Sequence, residues 1–285
     1  MRVLCGTDFS PFSIDAGTIA ALWARRAGGD LHLIHAVSRT TGLEDSRARL
    51  LAEAQRLQGF GAEVSAVDLV NGEAEQVLAE EAIARRASLI VVGSLGERGR
   101  HGRLAGTTAD ATARDAPIPV LVVREPGLLE QWLRGQGPLE VMVGFERGTS
   151  ALGALRWAAD LTGYGSVHPT VVHLVLPGAE NREVHATGRG VGLTLAPEAL
   201  DRLRVELQKA VTPSFGETQI RLVVKECLGR KDVPLVLEAD AAGAGLLVVG
   251  SHQRKGFRRW WSGSVSSGVL HAADMSVVVV PSPAE

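Results

Sequence analysis

The stretch Leu89-Ile90-Val91-Val92-Gly93-Ser94-Leu95-Gly96, followed after nine residues by Gly106-Thr107-Thr108, decides how this chain is read. Four apolar residues ending on a glycine read as a buried strand entering a tight turn. Beyond a basic loop, 97–105, the segment 106–116 reads as a helix with Gly106 and Thr107 at its N-terminus. Such an end leaves backbone N–H groups unpaired and carries partial positive charge, so it suits a phosphate. Glycines there remove Cβ atoms that would hold an anion away from the backbone. The spacing is neither the P-loop, which needs Gly-Lys-Ser/Thr, nor the compact Gly-x-Gly-x-x-Gly of dinucleotide sites. A nucleotide-phosphate cradle is the working reading; glycines serving an ordinary βα loop are the alternative.

Working outward from this stretch, strands and helices alternate. Residues 3–8 read as a buried strand, and 12–26 as a helix with Ile14, Ile19, Leu22 and Trp23 at helical spacing and Ser10 or Ser13 as its cap. Gly28-Gly29 ends that helix, and 31–37 is the next strand. A helix over 43–57, a strand over 64–70 and a helix over 73–86 lead to the Leu89 strand. The helix from Gly106 and a strand over 118–123 complete the unit. Alternation of this kind implies parallel strands covered by helices on both faces.

The segment 125–138, with Gly127, Gly135, Gly137 and Pro138, reads as a linker, after which the pattern restarts. Val141-Met142-Val143-Gly144-Phe145-Glu146 stands where Leu4 to Asp8 stood, and Leu155-Arg156-Trp157-Ala158 echoes Ala21-Leu22-Trp23-Ala24. Leu246-Leu247-Val248-Val249-Gly250 repeats Leu89 to Gly93, and Gly263-Ser264 repeats Gly106-Thr107 at the same distance. The chain is a tandem duplication, with domains expected at 1–124 and 139–285. The second half carries an insertion over 177–197 that has no counterpart of that length in the first.

Length and composition agree. The 285 residues suit about two domains. The net charge of −2 gives no basic field to recruit nucleic acid or anionic membrane. Cys5 and Cys227 fall in expected strands far apart in sequence and read as reduced, buried thiols. The N-terminus runs straight into a strand, and no apolar run approaches the ~18 residues of a membrane span, so the chain reads as cytoplasmic.

With the repeat in view, each half resembles the universal stress protein family. The residues carrying the resemblance are Thr7-Asp8-Phe9-Ser10 after the first strand, Leu33-Ile34-His35-Ala36-Val37 ending the second, and Gly93-x-x-Gly96, nine residues, Gly106-Thr107. The last is the family's ATP-binding signature, matched here at every position. The resemblance implies an α/β fold in which each half is a doubly wound, five-stranded parallel sheet of order 3-2-1-4-5. In that order strands 1 and 4 are neighbours whose chains leave in different directions, opening a crevice at their carboxyl ends. By position, Gly6, Thr7, Asp8 and Ala36 would hold the adenine and ribose end, Val92 and Gly93 would line the crevice, and Gly96, Gly106, Thr107 and Thr108 would take ribose and phosphates. ATP, with or without magnesium, is the implied ligand. The resemblance also implies that the halves pack as a pseudo-dimer and that tandem chains form a homodimer. A cytoplasmic stress-response protein with a nucleotide-dependent regulatory or protective role is the function expected.

The second half departs from the signature. Gln253 stands where the second glycine belongs, and Glu146 replaces the aspartate, so this half is expected to bind weakly or not at all. Other readings stay beside these. Asp8 could cap the turn into the first helix, and His35 reads as a packed strand histidine without a role. Arg98, Arg100, His101 and Arg103 could neutralise phosphates or form a solvated loop face. No Ser/His/Asp triad, His-Glu-x-x-His helix or Cys-x-x-Cys pair is present, and no general base can be named, which argues against robust catalysis; a slow ATPase or phosphotransferase on the same cradle is the alternative. Residues 254–261, Arg254-Lys255-Gly256-Phe257-Arg258-Arg259-Trp260-Trp261, interleave basic and aromatic side chains. They read as an interface anchor, with a docking loop for an anionic or apolar partner as a third hypothesis.

Overall fold

The computed structural model describes residues 1–38, 42–96, 106–146, 149–176, 197–251 and 265–282. The first half runs β1 (Arg2–Gly6), α1 (Pro11–Arg26), β2 (Asp30–Val37), α2 (Leu43–Gln58), β3 (Glu63–Asn71), α3 (Ala74–Ala84), β4 (Leu89–Gly93), α4 (Thr107–Asp115) and β5 (Val120–Val123). After α5 (Gly127–Leu133), the second half follows as β6 (Leu139–Gly144), α6 (Thr149–Asp160), one 3-10 turn, β7 (Val167–Val175), α7 (Pro197–Phe215), β8 (Arg221–Glu226), α8 (Asp232–Ala241), β9 (Leu246–Ser251), α9 (Val265–Ala272) and β10 (Ser276–Pro281).

The strand order is β3-β2-β1-β4-β5-β10-β9-β6-β7-β8. Each half is therefore an α/β unit with the doubly wound order 3-2-1-4-5, as the resemblance implied. The reading by halves did not include the continuity between them. β5 and β10 pair antiparallel, Val122 with Val277 and Val120 with Val279, and merge the two sheets into one of ten strands. Four-residue apolar runs such as Leu89–Val92 suit this architecture because both faces of the sheet are covered. One core layer holds Val3, Leu33, Val91 and Trp23 under α1, α2 and α5; the other holds Leu4, Ile90, Val92 and Leu78 under α3 and α4. Cys5 and Cys227 are both buried and free, and burial pushes the Cys5 thiol up to about 12.

The segment read as a linker is not an open connection. Its middle folds as α5, which buries Leu129, Trp132 and Leu133. The Trp132 ring meets Trp23 edge-on at 6.0 Å, and its Nε1 donates to the Ser166 carbonyl at 2.9 Å. One face of this helix thus touches the first half while its tryptophan is bonded to the second. On the other face of the sheet, the Arg124 guanidinium donates to the carbonyls of Ala273 and Leu270 at the end of α9. The insertion 177–196 lies outside the described residues.

Candidate functional site

The first crevice is built where β1 and β4 part. Thr7 still pairs with β2, its N–H donating to the Ile34 carbonyl at 2.9 Å. The chain then turns sharply, and Phe9 adopts φ 63°, a left-handed conformation that is costly for a bulky residue. The turn is held by short bonds. The Thr7 hydroxyl accepts the Phe9 N–H at 3.1 Å and lies 3.1 Å from the Ser13 hydroxyl. Asp8 Oδ1 accepts the Ser10 N–H at 3.1 Å. Ser10 caps α1, its hydroxyl accepting the Ser13 N–H at 3.2 Å, and Pro11 sits in the first turn, where a missing N–H costs nothing. The Phe9 ring lies 4.4 Å from the His35 ring, with the Arg49 guanidinium 4.4 Å above it.

His35 has a role that the sequence reading did not give it. Its Nδ1 lies 2.7 Å from the Thr7 carbonyl, which can only accept, so Nδ1 carries the proton and fixes the peptide before Asp8. The second half repeats the contact, His173 Nδ1 to the Phe145 carbonyl at 2.8 Å. The signal was present in the sequence: a histidine recurs at the same strand position in both halves.

The glycines of the signature serve different purposes. A Cβ on Gly6 would lie 3.0 Å from a Leu78 methyl, so this glycine lets α3 pack down on the strand end. A Cβ on Gly93 would lie 2.7 Å from the Phe12 backbone and 2.9 Å from the Ser13 nitrogen, where the start of α1 crosses β4. These two glycines answer to packing. Gly96 instead faces Asp8, whose Oδ2 would be 2.7 Å from an added Cβ, so the turn after β4 and the turn after β1 meet here. Gly106 caps α4 with φ −63° and ψ 154°, and its N–H donates to the Ser94 carbonyl at 2.7 Å. Among the described residues no side chain caps the helix, and the N–H groups of its first turn face the turn after β4. A Cβ on Gly106 would meet only ordinary contacts at 3.5 Å. Thr107 and Thr108 are exposed beside this end, Val92 is buried, and Ala36 is half-buried at the end of β2. The ten residues expected at the site thus fall at the carboxyl ends of β1, β2 and β4, in the turns that follow β1 and β4, and at the start of α4; Gly6 and Gly93 serve packing there, and Thr7 directs its hydroxyl into the β1–α1 turn. The basic residues of 97–105 lie outside the described residues.

The separation of Gly96 and Gly93 is testable. Gly96→Ala is expected to displace the Asp8 carboxylate and to weaken the nucleotide binding proposed below at least tenfold (about 1.4 kcal/mol) with little change in Tm. Calorimetry and thermal melts on the same protein check it, and unchanged affinity would remove Asp8 from the site.

In the second half, Gly144 repeats the packing of Gly6, a Cβ there lying 2.6 Å from a Leu235 methyl. Phe145 is buried at the place of Thr7. Glu146, at the place of Asp8, accepts an ion pair from Lys231 at 3.1 Å. Gln253, residues 254–261 and Gly263-Ser264 lie outside the described residues.

A continuous doubly wound sheet with a topological switch point in each half defines a tandem Rossmann-like α/β protein. The universal stress protein family profile matches residues 1–124 and again 140–281, and the chain belongs to that family. A universal stress protein from Archaeoglobus fulgidus superposes with a TM-score of 0.71 at 14% identity, covering 99% of this chain and 96% of its own. A putative universal stress protein from Pseudomonas aeruginosa gives 0.66 at 19% identity, over 99% of this chain and 93% of its own. A universal stress protein solved in complex with cAMP is 30% identical over 43% of this chain and 95% of its own, with a TM-score of 0.38. A comparison with curated proteins found no match. Among the described residues, no helix is long and apolar enough to cross a membrane.

Proposed function

We propose that the first half binds ATP in the crevice between β1 and β4, and that the chain acts as a nucleotide-dependent regulatory module in a cytoplasmic stress response. The observation that carries this reading is Gly106. Its backbone angles suit any residue and a Cβ there would fit among the described residues, so neither conformation nor packing against them asks for glycine. A phosphate approaching the open N–H groups of α4 does ask for it. Asp8, across the crevice beside Gly96, is placed to accept from a ribose or adenine donor, and the exposed Thr107 and Thr108 hydroxyls flank the phosphate end. Among the described residues no cluster of metal-ligating side chains occurs, so magnesium in this reading arrives on the phosphates. The mechanism is differential binding: nucleotide stabilises the conformation in which the β1–α1 turn and the α4 end face each other, and a partner reads that state.

The second crevice is proposed silent. Its carboxylate is already neutralised by Lys231 from the start of α8, where the first half has Ala74. An ATP titration by calorimetry on nucleotide-stripped protein is expected to give one site per chain. Zero sites would overturn the reading, and two of similar affinity would overturn the silence of the second half. Phosphate release followed over hours in the same samples tests for slow hydrolysis.

A further inference from the structure

Most left-handed positions in the described chain are filled by glycine, which takes them without steric cost: nine glycines have positive φ, Gly28 at 60° and Gly61 at 79° among them. Phe9, the residue after Asp8, holds φ 63° with a bulky side chain. Arg86 and Glu125, the other two exceptions among the described residues, are exposed, whereas Phe9 is half-buried and partnered. A strained backbone of this kind persists only where its surroundings hold it. Two elements do so here. The Phe9 ring lies 4.4 Å from the ring of His35, which comes from β2, and the guanidinium of Arg49, from α2, sits 4.4 Å from its centre.

We propose that His35, Phe9 and Arg49 form a clamp that positions Asp8 for the nucleotide, an inference that rests on the reading of Asp8 as acceptor of a nucleotide donor. Asp8 is gripped on both sides. Before it, His35 Nδ1 donates to the Thr7 carbonyl at 2.7 Å and so fixes the plane of the Thr7–Asp8 peptide. After it, Phe9 gives its N–H to the Thr7 hydroxyl at 3.1 Å while its ring stacks on the same histidine. With both flanking peptides fixed, the Asp8 side chain leaves the backbone in one direction, which sets Oδ1 on the Ser10 N–H and turns Oδ2 to Gly96. The second half separates the parts of this device. His173 repeats the bond, 2.8 Å to the Phe145 carbonyl, but its ring neighbour is Phe145 itself, at the place of Thr7 and 6.3 Å away. In sequence, Arg147 stands where Phe9 stands. Among the described residues, the histidine bond is therefore common to both halves, and the close stack belongs to the half that carries the aspartate.

The test is ATP titration of the full chain by calorimetry, with thermal melting of the same samples without nucleotide. Phe9→Ala keeps the strained backbone and loses the ring, whereas Phe9→Gly loses ring and strain together. Phe9→Gly is expected to melt above Phe9→Ala yet bind ATP more weakly, about tenfold below wild type against about threefold for Phe9→Ala. The same order in both measurements would make Phe9 a stabilising side chain only and overturn the clamp. His35→Leu is expected to lose about tenfold in affinity, and His35→Asn, whose amide can donate to the Thr7 carbonyl, to recover most of it. His173→Leu, the same change in the second half, is expected to leave ATP affinity as in wild type. A wild type that binds no ATP overturns the site and the clamp with it. If wild type binds and both Phe9→Gly and His35→Leu match it, the clamp is overturned and the site stands. A loss in His173→Leu equal to that in His35→Leu, or no recovery in His35→Asn, overturns the part given to His35. Phe9→Gly decides the matter should His35→Leu not fold.

Discussion

Gly106→Trp is expected to abolish ATP binding and leave the apo protein folded. The N-cap angles at Gly106 are ordinary for any L-residue, and a Cβ there sits 3.5 Å from Gly96 N, Leu95 Cα and Ser94 O, an ordinary contact distance. The protein alone therefore has no strong objection to a side chain. An indole growing from this point lies between the first turn of α4 and the turn after β4, the space in which a phosphate would meet backbone N–H groups. Affinity should fall at least 100-fold, about 2.7 kcal/mol, while far-UV circular dichroism stays as in wild type. Gly106→Ala should lose far less. The comparison that gives the result its meaning is Gly93→Ala, whose Cβ would lie 2.7 Å from Phe12 backbone atoms that cannot move aside without shifting α1. That variant should lose stability by roughly 1–3 kcal/mol or more. A Gly106→Trp protein that binds ATP as wild type does would place the phosphates away from α4.

Much of this site could be read from the sequence because its parts are local. The apolar run into Gly93, the Ser10 cap and the Gly-Thr start of α4 each span a few residues, and the repeat states the same pattern twice. What the sequence hid is decided at long range. Gly6 and Gly93 looked like ligand glycines, but the atoms that exclude a side chain there belong to Leu78 and Phe12, brought in by packing. The neutralising partner of Glu146 is Lys231, from the other side of a β-α-β crossover, and no spacing rule connects them. The antiparallel join of β5 to β10 depends on which edges meet, and two strands of nearly unbroken valine carry no mark of it. The glycines and proline of 125–138 read as a linker, and the sequence carries no sign of the helix inside it. That helix starts at Gly127 and has seven residues, too few to be read from periodicity, and it is stable only through its tertiary contacts.

Trp132→Ala is accordingly expected to be among the most destabilising single changes in the chain. The ring is 1% exposed, meets Trp23 edge-on at 6.0 Å, and Trp23 in turn lies 5.8 Å from Trp157 of the second half. Arg26 sits over the Trp132 ring, and its guanidinium donates to the Tyr164 carbonyl across the same seam. Truncation leaves a cavity beside Trp23, a cost of about 3–5 kcal/mol. It also removes one of the two donors to the Ser166 carbonyl, which keeps the Leu139 N–H at 3.0 Å. Against a typical total of about 5–15 kcal/mol this is a large share. Because α5 couples the halves rather than filling either one, the loss should fall on their cooperation. Urea unfolding, expected to be single and steep in wild type, should move to a lower midpoint in Trp132→Ala and separate into two transitions. Trp132→Phe refills most of the space without the Nε1 donor, so it should recover the single transition at an intermediate midpoint. Unfolding of Trp132→Ala in one transition at the wild-type midpoint would mean that the β5–β10 strand pairing and Arg124 hold the halves together without α5.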